Sequence, residues 1–172
     1  MGVFNEFDIP FVGLKNGKHN FKFTIDKKFF DYFEFSDFVD ASVICNLVLN
    51  KKPTFLELNF NANGKVKVPC DVSTELFDYK IYNHYNLIVK FGCSDYESDE
   101  ILVIPEGSYQ INVAQYIYEM IVLSLPLKRI HPGIKKGTLK NDILEKLKSL
   151  EPKENKLDGS IDPRWNKLKD LL

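Results

Sequence analysis

The stretch at residues 111–131, INVAQYIYEMIVLSLPLKRIH, constrains the fold more than any other part of this sequence. Between residues 113 and 125 the only strongly polar side chains are Gln115, Glu119 and Ser124. Apolar residues therefore cover nearly the whole circumference of a helix, which is typical of a helix inside a protein core. Asn112 can cap its start, and Pro126 ends it because proline cannot donate a backbone hydrogen bond. The pattern predicts a buried helix near residues 112–125, too short for the roughly 20 apolar residues of a membrane span.

Alternating apolar and polar residues predict several β-strands before this helix. These strands are expected at residues 19–26, 43–49, 56–60, 66–70, 85–91 and 101–104. Between two of them, Asn63-Gly64 predicts a hairpin turn, because a type I′ turn needs positive φ at both central residues. Asp26 is expected to cap a short helix that contains Phe29, Phe30 and Phe33. The order of elements predicts an α+β fold with an antiparallel sheet of about six strands, which could curl into a partial barrel, and short C-terminal helices.

Charge is distributed unevenly along the chain. Residues 1–125 contain 11 Lys/Arg and 17 Asp/Glu, a formal charge of −6, whereas residues 126–172 contain 12 and 7, a formal charge of +5. We therefore predict an α+β core domain at residues 1–131 and a basic tail at residues 132–172.

The tail itself is expected to contain three parts. Apolar residues recur at helical spacing between residues 140 and 150, which predicts an amphipathic helix. A polar, Pro- and Gly-containing linker follows it. Asp162-Pro163 then predicts the start of a last helix, and we expect its Trp165 to dock on the core domain.

Sequence motifs for chemistry are missing. The chain contains no G-x-x-x-x-G-K, G-x-G-x-x-G, G-x-S-x-G or H-E-x-x-H pattern, and its three cysteines and three histidines are isolated from one another. We therefore predict no catalytic residue, no cofactor and no metal site, that is, a non-enzymatic protein. The first residues have no basic segment followed by an apolar run and a cleavage site, so a cytoplasmic location is expected.

One candidate for function comes from charge alone. Residues 126–140, PLKRIHPGIKKGTLK, contain five Lys/Arg and no acidic residue. Such a stretch can contact the phosphates of a nucleic acid. A solvated run of charges is the alternative, because the overall isoelectric point near 6.3 is not that of a typical nucleic-acid-binding domain.

Several landmarks together resemble the YceD family, the large ribosomal RNA subunit accumulation proteins. Residues 66–71, VKVPCD, follow the Asn-Gly pair, residues 124–128 read SLPLK, and residues 162–165 read DPRW. The residues that match the family's motifs are Cys70, Pro126, Leu127, Lys128, Asp162, Pro163, Arg164 and Trp165. The chain departs from the family's C-x-R-C element, since Val72 stands in place of Arg and Ser73 in place of the second Cys. It also has no cysteine between residues 129 and 161, where many members have a cluster.

The resemblance implies a cytoplasmic bacterial protein that acts in the accumulation or processing of large-subunit ribosomal RNA. Its expected partners are the ribosomal RNA precursor or a ribosomal protein. RNA contact is expected at the basic residues Lys128, Arg129, Lys135, Lys136, Lys140 and Arg164. One alternative is a scaffold whose acidic sheet face, with the loop at residues 95–100, binds a basic ribosomal protein without RNA contact. A second is a carrier with an aromatic-lined pocket.

Overall fold

A computed structural model describes residues 5–92, 100–139 and 142–150. The chain forms two compact units, residues 1–139 and 140–172. The strands of the first unit are β1 (Asp8–Pro10), β2 (Gly17–Asp26), β3 (Asp40–Lys51), β4 (Phe55–Pro69), β5 (Leu76–Phe91), β6 (Ile101–Ile104) and β7 (Gln110–Asn112). Its helices are a short 3-10 turn (Asn5–Phe7), α1 (Lys27–Tyr32), α2 (Ala114–Val122) and α3 (Pro132–Lys135).

The first unit combines a five-stranded sheet with a two-stranded ribbon, so the predicted α+β class is confirmed. The strand order of the sheet is β2-β3-β4-β5-β6, and β1 pairs with β7. All pairs are antiparallel except β5 with β6, which makes the sheet mixed. The predicted barrel-like closure is wrong. Among the described strands, β2 and β6 remain the two edges of an open sheet, since the four-residue β6 pairs with β5 and not with β2.

The predicted hairpin at Asn63-Gly64 is also wrong. β4 continues without interruption from Phe55 to Pro69, and both residues pair with β3 on one side and β5 on the other. A Cβ atom at Gly64 would lie 2.3 Å from the carbonyl oxygen of Ser42 and 2.5 Å from the Cα of Val43. Glycine is needed here because the backbone of β3 approaches so closely, and not because the chain turns.

One face of the sheet forms the core. Alternate residues of the three central strands are buried, for example Leu47 in β3, Leu58 in β4 and Val89 in β5. A cluster of phenylalanine rings extends this core beside α1. Phe30 and Phe38, for example, meet edge to face with ring centroids 4.7 Å apart. The cluster members Phe7, Phe23, Phe29, Phe33 and Phe35 surround them.

The predicted cap of α1 is observed, whereas at α2 the N-cap position is Val113 and Asn112, one residue earlier, bonds to the first turn. Asp26 Oδ1 accepts a hydrogen bond from the backbone N–H of Phe29 at 3.3 Å, at the start of α1. Asn112 Oδ1 accepts from the N–H of Ala114 at 3.0 Å, at the start of α2.

The predicted burial of α2 on all sides is wrong. The helix ends at Val122 and buries one side, formed by Ala114, Ile117, Met120 and Ile121. Its opposite side is open, where Gln115 donates to Glu119 at 2.9 Å. Leu123, directly after the helix, is 80% exposed. The buried side packs against β4 and β5, and Tyr118 also stacks on Phe33, directly after α1, with ring centroids 4.3 Å apart.

The second unit is described through one helix, α4 (Asp142–Leu150), which corresponds to the predicted amphipathic helix. The predicted linker, the docking helix and Trp165 lie outside the described residues. Among the residues that are described, no helix has the length and apolar character needed to cross a membrane.

Candidate interaction site

The chain that leaves α2 meets the turn that follows β4, and this junction contains most of the described motif residues. Asp71 and Arg129 hold it together. The backbone N–H of Arg129 donates to Asp71 Oδ2 at 2.6 Å, and the N–H of Asp71 donates to the carbonyl of Arg129 at 2.9 Å. Two segments far apart in the sequence are thus joined by one hydrogen bond between backbones and one from backbone to side chain.

The guanidinium of Arg129 adds ion pairs to this contact. Nη1 lies 3.0 Å from Asp37 Oδ2, and Nη2 lies 3.4 Å from Asp71 Oδ1. The side chain is only 20% exposed. Two carboxylates therefore neutralise the charge of Arg129, which makes it an anchor of the loop rather than a free cation.

Cys70 forms the second link across the junction. Its side chain is buried, and Sγ accepts a hydrogen bond from the backbone N–H of His131 at 3.2 Å. Burial opposes ionisation of the thiol, but hydrogen bonds from the Ser73 side chain and from the backbones of His131, Ser73 and Val72 outweigh it and lower the pKa of Cys70. The residues at 70–73 thus form a turn whose donors converge on one sulfur.

His131 connects this junction to α3, because it is the N-cap residue of that helix. Its Nδ1 accepts from the backbone N–H of Gly133 at 2.9 Å and so caps this short helix. Its ring packs edge to face on Phe77, with centroids 5.4 Å apart. The histidine has a structural role here, as its hydrogen-bonding partner and its ring contact indicate.

The loop that these contacts hold exposes three motif residues to solvent. Leu127 is fully exposed, and Pro126 and Lys128 are exposed as well. A single exposed apolar side chain is common on protein surfaces, so Leu127 alone shows that the loop is accessible and does not by itself mark a binding surface. Beside it lies a small hollow of about 220 Å³ that Phe35, Val122, Leu125 and neighbouring residues line.

The structure brings only some of the predicted RNA-contacting residues together. Lys128 precedes Arg129 on the anchored loop, and Lys136 is exposed directly after α3, which contains Lys135. Lys140 and the motif residues Asp162, Pro163, Arg164 and Trp165 lie outside the described residues.

Sequence reasoning missed Asp37 and Asp71 as partners of Arg129. They lie 92 and 58 residues before it, so no local spacing points to either pair. The signal that did exist is the placement of Asp71 directly after the motif residue Cys70. As for metals, the described part of the chain has no group of three or more His, Cys, Asp or Glu residues that could hold an ion.

A comparison with known protein families covers the part of the chain that contains these motif residues. The model of a family described as "Large ribosomal RNA subunit accumulation protein YceD" matches residues 58–172, roughly two thirds of the chain. The chain belongs to the YceD family. This confirms the resemblance found in the sequence, and the matched region includes the Cys70 turn, the loop at residues 126–128 and the terminal DPRW. Searches of curated proteins and of solved structures found no match.

Membership of the YceD family implies a role in the accumulation of large-subunit ribosomal RNA. The family match begins at Leu58, within β4, so β1, β2 and β3 lie outside it.

Proposed function

We propose that this protein is a non-enzymatic ribosome-biogenesis factor of the bacterial cytoplasm that contacts the precursor of large-subunit ribosomal RNA through its basic segment. The family match carries this proposal, because the family's description names that RNA. The excess of positive charge after residue 125 supports RNA over an uncharged partner.

The geometry of the junction supports different roles for the neighbouring residues Arg129 and Lys128. Arg129 is engaged with Asp37 and Asp71 and therefore positions the loop. Lys128, next to it, is exposed and is the first candidate for a phosphate contact. Lys136 is the second described candidate, and the proposal extends the surface to Lys135, Lys140 and Arg164.

Fractionation of a cell lysate tests this function. The protein should co-sediment with precursors of the large subunit, and treatment with ribonuclease should release it. Depletion of the protein should reduce mature large-subunit RNA while small-subunit RNA stays constant. A protein that stays at the top of the gradient, with unchanged RNA levels after its depletion, would contradict the proposal.

A protein-binding scaffold is the second candidate, and the exposure of Leu127 and Leu123 favours it. Apolar side chains suit a protein partner better than a phosphate backbone. The scaffold was expected to use an acidic sheet face with the loop at residues 95–100. The open face of the sheet carries more lysines than acidic residues, and residues 95–99 of the loop lie outside the described residues. Co-purification of a ribosomal protein that survives ribonuclease treatment would favour this candidate.

The carrier interpretation finds less support. A cleft of about 720 Å³ borders β5, β6 and α2. Its described lining includes Tyr85 and Tyr116 but no phenylalanine. The phenylalanines named above pack against one another in the core instead, so they leave no aromatic pocket between them.

A further inference from the structure

The face of the sheet opposite the core is unusually rich in asparagine. The alternate residues of β2, β3, β4 and β5 that point away from the core form this surface, here called the asparagine face. Its asparagines are Asn20, Asn46, Asn50, Asn59, Asn61, Asn63 and Asn86.

The strand register places these amides side by side. Asn46 pairs directly with Asn61, and Asn59 pairs with Asn86. Neighbouring strands lie about 4.8 Å apart, and successive residues on one face of a strand about 6.8 Å apart. The amides therefore form one contiguous patch across the central strands.

Folding alone does not explain this patch. Asparagine is depleted in β-strands, because its short polar side chain competes for backbone hydrogen bonds. Within the described ranges, Asn50 is the one asparagine of the face whose side chain is hydrogen-bonded, through Nδ2 to Glu57 at 2.8 Å. The other amides each present free donors and an acceptor to solvent.

Two rings stand in the same patch. Tyr82 is 79% exposed and pairs with Asn63, while the exposed His84 pairs with Asn61. An exposed aromatic ring on a sheet is a platform on which a nucleic-acid base can stack.

The asparagine face is positively charged, although residues 1–125 as a whole are negatively charged. The face has a formal charge of +2, whereas residues 1–125 as a whole have −6. Its lysines are Lys18, Lys22, Lys65, Lys67, Lys80 and Lys90, and its acidic residues are Asp26, Asp40, Glu57 and Asp78. Lys65 is paired with Asp78 at 2.9 Å, but Lys22 lies free beside Asn46 within the described part of the sheet.

We propose that the asparagine face binds single-stranded RNA, with amides on the base edges, Tyr82 stacked on a base and lysines at the phosphates. This inference rests on the proposed function for the class of ligand, but it assigns a surface separate from the basic segment. A protein partner fits the face less well, because protein interfaces need an apolar centre. The exposed Ile44 and the half-buried Val48 lie near the middle of this face, but each pairs with polar residues on both neighbouring strands, Thr24 and Asn63 for Ile44 and Asn20 and Asn59 for Val48, so they form no apolar centre.

Binding of the full chain to a labelled, unstructured RNA 12-mer of mixed sequence, measured by fluorescence anisotropy at low salt, tests the proposal. Tyr82→Ala should weaken binding about tenfold, which corresponds to the loss of one base stack. Tyr82→Phe should bind as the wild type does, because it keeps the ring. Tyr109→Ala is the matched control, since Tyr109 is 64% exposed in the loop before β7 and should not affect binding.

A double variant tests the amides independently of the ring. Asn46→Ala combined with Asn61→Ala should weaken binding several-fold and leave the salt dependence unchanged, since no charge is removed. Lys22→Ala should instead flatten the plot of log affinity against log salt by about 0.7. Thermal unfolding of every variant shows whether the sheet is intact, which is expected because all of the substituted positions are exposed.

The outcomes separate this inference from the proposed function. If the wild type binds no RNA, both fail. If the wild type binds RNA and Tyr82→Ala and the double asparagine variant bind equally well, the asparagine face is overturned while the proposed function stands. If Tyr82→Ala abolishes co-purification of a ribosomal protein and leaves RNA affinity unchanged, the face binds protein and the inference is overturned.

Discussion

Arg129 and Asp71 contact each other through backbone and side chain at once. Two hydrogen bonds of 2.6 and 2.9 Å involve the backbone of Arg129, and its Nη2 lies 3.4 Å from the carboxylate. The pair therefore fixes both the path of the loop and the direction in which its neighbour Lys128 projects.

Arg129→Ala should lower the free energy of unfolding by about 1–2 kcal/mol, because it leaves two carboxylates without their shared cation. Arg129→Lys should recover only part of this loss, since an ammonium cannot reach both carboxylates as the planar guanidinium does. Urea denaturation measures both. Lys128→Ala serves as control and should change stability little, as its side chain is exposed. Equal effects of the Arg129 and Lys128 substitutions would contradict the anchoring role.

Gly64→Ala should destabilise the sheet by about 1–3 kcal/mol or more, because the new methyl group meets rigid backbone. The clash is with Ser42 and Val43 of β3, at 2.3 and 2.5 Å. Gly13→Ala is the matched control, because a Cβ there has no neighbour within 4 Å. Thermal melting compares the two, and a Gly64→Ala protein as stable as Gly13→Ala would show that β3 does not approach so closely.

Features that depend on neighbouring residues could be predicted from the sequence. Alternation at Phe23 and Ile25 predicts β2, and the polar side chain of Asp26 predicts the cap of α1. The Asn63-Gly64 pair shows where local reasoning fails. The same dipeptide suits a tight turn and a close approach of strands, and only the pairing of β4 with β3 decides between them.

Long-range contacts were beyond prediction from the sequence. Asp8 of β1 accepts a hydrogen bond from Asn112 at 2.7 Å, across 104 residues, and the ribbon that they form was not expected. The candidate site shows the same limit. Its motif residue Cys70 was identified by resemblance, but the ion pairs of Arg129 with Asp37 and Asp71 depend on how the chain returns to the sheet.

Cys45 should make stability fall at high pH. Burial raises the pKa of its thiol to about 12 from an ordinary value of 9.0. Between these values the unfolded chain releases the proton and the folded chain retains it, so unfolding becomes more favourable as pH rises. The contribution approaches about 1.4 kcal/mol per pH unit.

Cys45→Val removes this group while it keeps a similar volume in the core. Urea unfolding from pH 8 to 11 should therefore show a smaller pH dependence for the variant than for the wild type. All other titrating groups are common to both proteins, so the difference isolates Cys45. Parallel curves would show that the thiol is not buried as described.

The protein should fold without a metal ion. The tail lacks the thiolates of a tetrahedral zinc site between residues 129 and 161, and Ser73 stands where the family has its second cysteine. Washing with a chelator should leave the circular dichroism spectrum and the melting temperature unchanged. Stoichiometric zinc that survives the wash and stabilises the fold would contradict this expectation.

The salt dependence of RNA binding tests the central claim most directly. With three to five phosphates neutralised on single-stranded ribosomal RNA, log affinity should fall against log salt with a slope of roughly −2 to −3.5. Reversing two charges, Lys135→Glu with Lys136→Glu, should flatten the slope by about one unit and leave the melting temperature unchanged. A protein that binds no fragment of large-subunit RNA even at low salt, or binds it with a slope near zero in both forms, would contradict RNA contact through the basic segment.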